Sequence, residues 1–343
     1  MSLEMEFSTT SKPIPASGIS PESPQKYVEE ISQLPKEKGW RGLQELFLYK
    51  NFWLYPVFLE GALHARDHFQ AQPTDIFLCS SMKTGTTWLK ALSFTIATRG
   101  HLPSDDGSDM TTVSLRTAVP HDCIPFLEFN EYSTAVTGSE IPLFASHLPY
   151  TCLPKSIIDS DCKIAYICRD PKDTFVSMWF FLRKFVAGKN STDVESFSSI
   201  DEAFELFCKG LSSHGPYWKH ILGYWEASKR RPEKILFLKY EDLVEDTQLW
   251  VKKLAEFFGC PFSAEEEREG VVERVVKECS FESLRNLEVN RSGKHEKRGR
   301  AIENSAYFRK GVVGDWRNHL TDEMGKKIDV IMEEKLMGSG FTF

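Results

Sequence analysis

The stretch Phe77–Leu92, FLCSSMKTGTTWLKAL, decides how the rest of the chain is read. Its first part is a short apolar run of the kind that forms a buried strand, and the part after Gly85 has the pattern of a helix. A strand, a glycine turn and a helix opening on threonines gather backbone N–H groups, hydroxyls and a partial positive charge around one point, which suits an anion. The common nucleotide loop, G-x-x-x-x-G-K-[ST], carries its lysine after the second glycine. Here Lys83 stands before the only glycine, Gly85, and the loop runs on through Thr84, Thr86, Thr87 and Trp88. The loop is P-loop-like with its cation displaced.

The same alternation continues outward. KIAYICR (163–169) and KILFLKY (234–240) are further strand candidates, and LFASH (143–147) adds a short one. Helical patterns follow from about Thr86 to Thr98, in DPKDTFVSMWFFLRKF (170–185) and in LWVKKLAEFFG (249–259), then over 263–280 and 321–336. Strands alternating with helices predict an α/β fold, a single domain with a central parallel sheet flanked by helices. Residues 1–24, rich in Pro and Ser, are expected to form a disordered tail, with the domain over 25–343. The polar stretches 100–114 and 186–199 read as surface loops. The aromatic run 48–65 reads as core or as a pocket wall.

Composition narrows the class. With 343 residues, 41% hydrophobic and 27% charged, the chain can bury a full core without staples. A formal net charge of −7 argues against a general nucleic-acid binder, so a basic site must be local. The N-terminus reads as neither a secretory signal nor a transit peptide, and no apolar run approaches the roughly 18 residues of a membrane span. Eight cysteines without C-x-x-C spacing read as free thiols, which fits the cytoplasm. The sequons at Asn190 and Asn290 read as chance.

Further residues suit the same anion. Arg169 ends a strand candidate and Ser177 follows on the next helix, a guanidinium and a hydroxyl for a phosphate. Arg309, Lys310 and Gly311 lie in YFRKGVVGDW (307–316), where glycine lets a backbone N–H come close. Among nine histidines, His147 follows the strand-like LFAS and precedes Leu-Pro; a neutral histidine there suits a general base.

KTGTTW (83–88) resembles the 5′-phosphosulfate loop of the cytosolic sulfotransferases, which use 3′-phosphoadenosine 5′-phosphosulfate (PAPS). ICRDPKDTFVSMW resembles that family's 3′-phosphate segment, YFRKGVVGDW its C-terminal signature, and SHLP its catalytic segment. The resemblance runs from about Trp40 to Met337, and EKGW (37–40) is similar to the plant members. It implies a single in-line sulfuryl transfer from PAPS to a hydroxyl of a small, largely apolar acceptor, leaving 3′,5′-ADP and needing no metal. His147 and Lys83 would be catalytic. Lys83, Thr84, Gly85, Thr86, Thr87 and Trp88 would hold the 5′ side, and Arg169, Ser177, Arg309, Lys310 and Gly311 the 3′-phosphate. Tyr240 and Phe281 match adenine contacts. Phe126 and Phe129, with His147 and aromatics such as Phe52 and Trp53, would form the substrate pocket.

Three departures stand out. Ser81-Met82 replace Tyr-Pro before the loop lysine, Ala145 replaces a lysine two residues before the base, and RNHLTD (317–322) departs from the animal dimerisation signature. A monomer or weak dimer is expected, with a small-molecule partner, no nucleic acid and no membrane. Ser177 is a candidate restraint on Lys83, and the other histidines are expected to be structural. The alternatives are a nucleotide-binding relative without turnover and a P-loop small-molecule kinase. The kinase would need a lysine after glycine and a metal-binding acid at a strand end, and the chain has neither.

Overall fold

The computed structural model describes residues 23–40, 44–101, 114–130, 141–187, 197–297 and 300–343. Most of the expected tail, most of the stretches 100–114 and 186–199, and Asn190 lie outside them.

Nine strands fall into three sheets, counted among the described residues. Lys36–Lys38 (β1), Glu45–Tyr49 (β2) and Phe52–Leu54 (β3) form an antiparallel meander. Ile76–Ser80 (β4), Leu143–Ser146 (β5), Lys163–Cys168 (β6) and Ile235–Lys239 (β7) form a parallel sheet in the order β5-β4-β6-β7. Lys294–Lys297 (β8) pairs with Arg300–Glu303 (β9) as a hairpin. The longer helices are Gln25–Ser32 (α1), Pro56–His68 (α2), Thr86–Thr98 (α3), Pro171–Ala187 (α4), Ile200–Cys208 (α5), Tyr217–Arg230 (α6), Thr247–Phe258 (α7), Val271–Glu278 (α8) and Asp322–Leu336 (α9).

The parallel sheet is the expected one, and its strands read as continuous apolar runs because both faces are covered. Phe77, Cys79, Ile164, Tyr166 and Cys168 pack into one core, and Ile76, Leu78, Ala165 and Ile167 into another. That alternation is the period-2 pleat. The helical pattern over 263–280 is split: Gly270 takes φ +71° and ends one short helix before α8 begins. Asn290 is buried, its amide donating to the Leu284 carbonyl, so that sequon cannot accept a glycan in the folded chain.

This topology sets the site. In an open parallel sheet the ligand crevice lies outside the carboxyl ends of the strands. β4 runs into the Ser81–Gly85 turn, and His147, Arg169 and Tyr240 are the residues that directly follow β5, β6 and β7. Four strands each deliver one anticipated residue to one edge.

Candidate active site

At that edge lies a cavity of about 420 Å³. Of the residues anticipated for the donor and for the substrate pocket, all line it except Thr84, Phe52 and Trp53. The Thr84 hydroxyl is turned inward and donates to the carbonyls of Ser81 and Ile167. It pins the turn that Ser81-Met82 enters without a proline, and Met82 is buried with its side chain in the cavity wall.

The turn is shaped by two left-handed residues, Lys83 at φ +67° and Gly85 at φ +114°. Glycine is required at 85, because a Cβ there would come within 2.9 Å of the Tyr240 ring. Gly85 is also the N-cap of α3; it offers no side-chain oxygen, and the first turn carries no acid. The first N–H groups of the helix therefore keep no side-chain cap, the arrangement that favours a bound anion. Thr86 Oγ1 lies 2.7 Å from Ser80 Oγ, and Thr87 Oγ1 lies 3.0 Å from His121 Nε2.

The Lys83 ammonium rests 4.2 Å above the Phe181 ring and 5.8 Å from that of Tyr307. No carboxylate pairs with it, and no hydrogen bond joins it to Ser177, among the described residues. Burial, reinforced by Arg169, Arg309 and Lys184, pushes its pKa down to about 7. An aromatic seat beside other cations holds a lysine that an anion would draw off.

His147 is oriented by main-chain atoms. Its Nδ1 lies 3.0 Å from the Ser80 carbonyl, which can only accept, so Nδ1 carries the proton and Nε2 is left with a lone pair. The Glu128 carboxylate accepts from the His147 N–H at 2.6 Å and from the Ser146 hydroxyl at 3.0 Å. His220 Nε2 donates to the His147 carbonyl at 3.0 Å, and its Nδ1 meets the Tyr166 hydroxyl. Burial lowers the His147 imidazole to about 3, with Lys90, His220 and Lys83 adding to the shift. His147 is therefore neutral near pH 7, with the Nε2 lone pair free.

The opposite end is cationic. Arg169 is no surface ion-pair residue: it is buried, donates to Asp173 and to the Val312 carbonyl, and lies 4.5 Å above the Tyr240 ring. Asp173, fully buried, also accepts from the N–H groups of Gly314 and Trp316. Arg309 pairs with Asp315. The Nε atoms of Arg169 and Arg309 are buried without a hydrogen-bond partner among the described residues. Gly311, at φ +68°, lies so close to Phe281 that a Cβ would stand 2.4 Å from the ring. Trp88 meets Tyr240 edge to face at 5.6 Å. Unpaired guanidinium nitrogens, an unpaired ammonium and bare helix N–H groups around one cavity fit a polyanionic nucleotide. Among the described residues no group of three or more His, Cys, Asp or Glu side chains is placed to hold a metal ion.

The acceptor end differs from expectation. Phe126 and Phe129 are in the wall, with Phe126 4.8 Å from His147 ring to ring. Phe52 and Trp53 are not; Phe52 is buried against His220, and the wall residues from that aromatic run are Val57 and Phe58. Three histidines expected to be structural gather around the site: His121 in the wall, His220 beneath His147, and His214 beside His147 at 5.8 Å ring to ring. The side chains of His101 and His295 lie outside the described set. Sequence reasoning also passed over Glu128, Asp173, Phe181 and Tyr307. A signal existed for the two acids, since a carboxylate inside an apolar run such as PFLEF or the DTFVSMWFF face must have a partner.

With the geometry in place, comparison with known proteins is direct. A family profile described as a sulfotransferase domain matches residues 73–340. The chain belongs to the plant cytosolic sulfotransferase family. It is 48% identical over 320 residues to Cytosolic sulfotransferase 16 of Arabidopsis thaliana, covering 92% of this chain and 91% of that protein. It is also 48% identical to Flavonol 3-sulfotransferase of Flaveria bidentis, over 87% of this chain and 93% of the other. The crystal structure of an Arabidopsis thaliana sulphotransferase superposes with a TM-score of 0.68 at 34% identity, over 95% of this chain and 99% of that one. Mouse sulfotransferase SULT7A1 complexed with PAP gives 0.62 at 27% identity, over 86% and 95%. This sulfotransferase is thus an enzyme that moves a sulfuryl group from PAPS to a small acceptor. No helix of its described residues is long and apolar enough to cross a membrane.

Proposed function

We propose that residues 25–343 act as one domain whose P-loop-like turn takes the 5′-phosphosulfate of PAPS, and that His147 deprotonates a hydroxyl on an apolar acceptor. The observation that carries this reading is the His147 tautomer: Nδ1 donates to the Ser80 carbonyl, leaving Nε2 as the proton acceptor in the cavity wall. The bound donor supplies an activated sulfur–oxygen bond; the rest is done by the chain. The N–H groups from Lys83 to Trp88 and the Thr86 and Thr87 hydroxyls hold the 5′ side. Arg169, Ser177, Arg309, Lys310 and Gly311 hold the 3′-phosphate and so discriminate against ATP and ADP. Tyr240, Trp88 and Phe281 flank the adenine. Lys83 leaves its aromatic seat to neutralise charge on the leaving oxygen, a preorganised electrostatic role. With Ala145 beside the base, Lys83 supplies that charge alone.

Phe58, Phe126 and Phe129 seat the acceptor, which is small and largely apolar. We place the protein in the cytoplasm as a monomer or weak dimer: its eight cysteines are unpaired, and RNHLTD departs from the dimer signature. Thermal melting with 3′,5′-ADP, ADP or ATP, without metal, tests the donor seat. A rise with 3′,5′-ADP alone supports it; about 2.7 kcal/mol is expected at a hundred times Kd. A rise only with ATP overturns it.

A further inference from the structure

His214 is fully buried, its backbone and one ring nitrogen held and its other ring nitrogen left over. Its backbone is left-handed at φ +61°, a conformation uncommon for a residue with a side chain. Its N–H donates to the Trp53 carbonyl at 2.8 Å, and Nδ1 lies 3.0 Å from Ser213 Oγ. Nε2 is fully buried and has no hydrogen-bond partner among the described residues. Buried polar atoms without partners are rare, and a strained backbone persists where its surroundings enforce it.

The neighbours of this ring place it at the acceptor end. It packs 4.7 Å from Phe58 and 5.8 Å from His147, ring to ring, and both of those side chains are in the cavity wall. His214 itself stands just behind that wall. Burial, with His147 and His220 beside it, keeps the imidazole neutral. Nε2 therefore offers an N–H or a lone pair, according to the tautomer that Ser213 leaves, and no formal charge.

We propose that His214 reads a second oxygen substituent of the acceptor, a hydroxyl or carbonyl on the same or an adjoining ring as the hydroxyl facing His147. Phe58, which packs on the His214 ring, shifts as it seats the acceptor and lets the second oxygen reach Nε2. The two rings are close enough that oxygens about 2.8 Å from each Nε2 belong to one compact ring system. Phe126 and Phe129 accept any apolar ring of the right size, whereas a buried hydrogen-bonding group discriminates sharply against an analogue lacking its partner. The inference rests on the assignment of His147 as base.

The test compares kcat/KM for 2-naphthol with that for 2,3-, 2,6- and 2,7-dihydroxynaphthalene, using PAPS and the full chain. His214→Asn tolerates the left-handed backbone and keeps a polar atom near Ser213 but withdraws Nε2; His214→Gln reaches back to the Nε2 position. The wild type should favour at least one diol by about 10- to 100-fold, the Asn variant by less than about threefold, and the Gln variant by an intermediate ratio. The melting shift with 3′,5′-ADP should be the same in all three. An unchanged preference in His214→Asn, no preference in the wild type, or loss of the 3′,5′-ADP shift in the variant overturns the proposal alone. A wild type with neither turnover nor a 3′,5′-ADP shift overturns the assignment of His147 with it.

Discussion

The two ends of one cavity are built on different principles. The end proposed for the donor rests on main-chain turns: left-handed Lys83, Gly85 and Gly311, an uncapped helix start, and guanidinium groups fixed by buried carboxylates. The end proposed for the acceptor rests on side-chain packing, with Phe58 of α2 brought against Phe126 and Phe129 of one short segment beside one oriented imidazole. Binding a polyanion needs particular donors at particular places, whereas an apolar wall needs only volume and shape. The first end is therefore rigid in residue identity and the second is free to vary.

Substitutions should separate the ends by what they change. His147→Ala, at the junction, should lower kcat by roughly 10²- to 10⁴-fold while the melting shift with 3′,5′-ADP survives. A wild-type kcat would remove His147 from the base role. Lys83→Ala should lower kcat by about 10²-fold, more than it weakens donor binding. An effect on KM alone would make Lys83 a ground-state anchor. Asp173→Ala leaves Arg169 and two N–H groups without their acceptor and should lower stability by about 3 kcal/mol, read from a denaturant midpoint, with weaker 3′,5′-ADP binding. Weakened binding of acceptor but not of donor would place Asp173 at the wrong end.

The smallest effect is in pH. The Lys83 ammonium, pushed down to about 7 by burial, loses its charge as pH rises through that value in the donor-free protein. In the unfolded chain it keeps the proton up to about 10.5. Between those values the unfolded state binds more protons, so this group makes the donor-free fold more stable as pH rises. As the pH rises above about 7 the anion loses its counter-charge, and the melting shift with 3′,5′-ADP should shrink over that rise. A constant shift would mean that Lys83 does not face the bound anion. His147, lowered to about 3, should leave no acid limb near pH 6 in kcat.

The contrast explains what was legible. KTGTTW, the Arg169–Ser177 spacing and RKG lie in short contiguous segments whose residue types are dictated by charge and backbone geometry. A single chain read in order displays them. The parallel strands were legible too, because burial on both faces makes unbroken apolar runs. The β1–β3 meander and the β8–β9 hairpin were not, since KEK and KHEK carry no apolar alternation. Phe58 looked like any aromatic in a run dense with them, and only the approach of α2 to Glu128 selects it: the Glu128 carbonyl fills the space a side chain on Gly61 would need. The partnership of Asp173 with Gly314 spans 141 residues and has no local signature.

That long reach has a consequence for synthesis. The Asp173 carboxylate ties the end of β6 and the start of α4 to the turn before α9. Arg169 donates a second bond to the Val312 carbonyl in that same turn. While the ribosome still holds the last few dozen residues, the parallel sheet and the Lys83 turn can already be complete, but Asp173 has only Arg169 to hold. The proposed nucleotide seat is thus finished after the sheet that carries it, and a chain released short of Gly314 would carry the Lys83 turn and His147 without the clasp that closes over them.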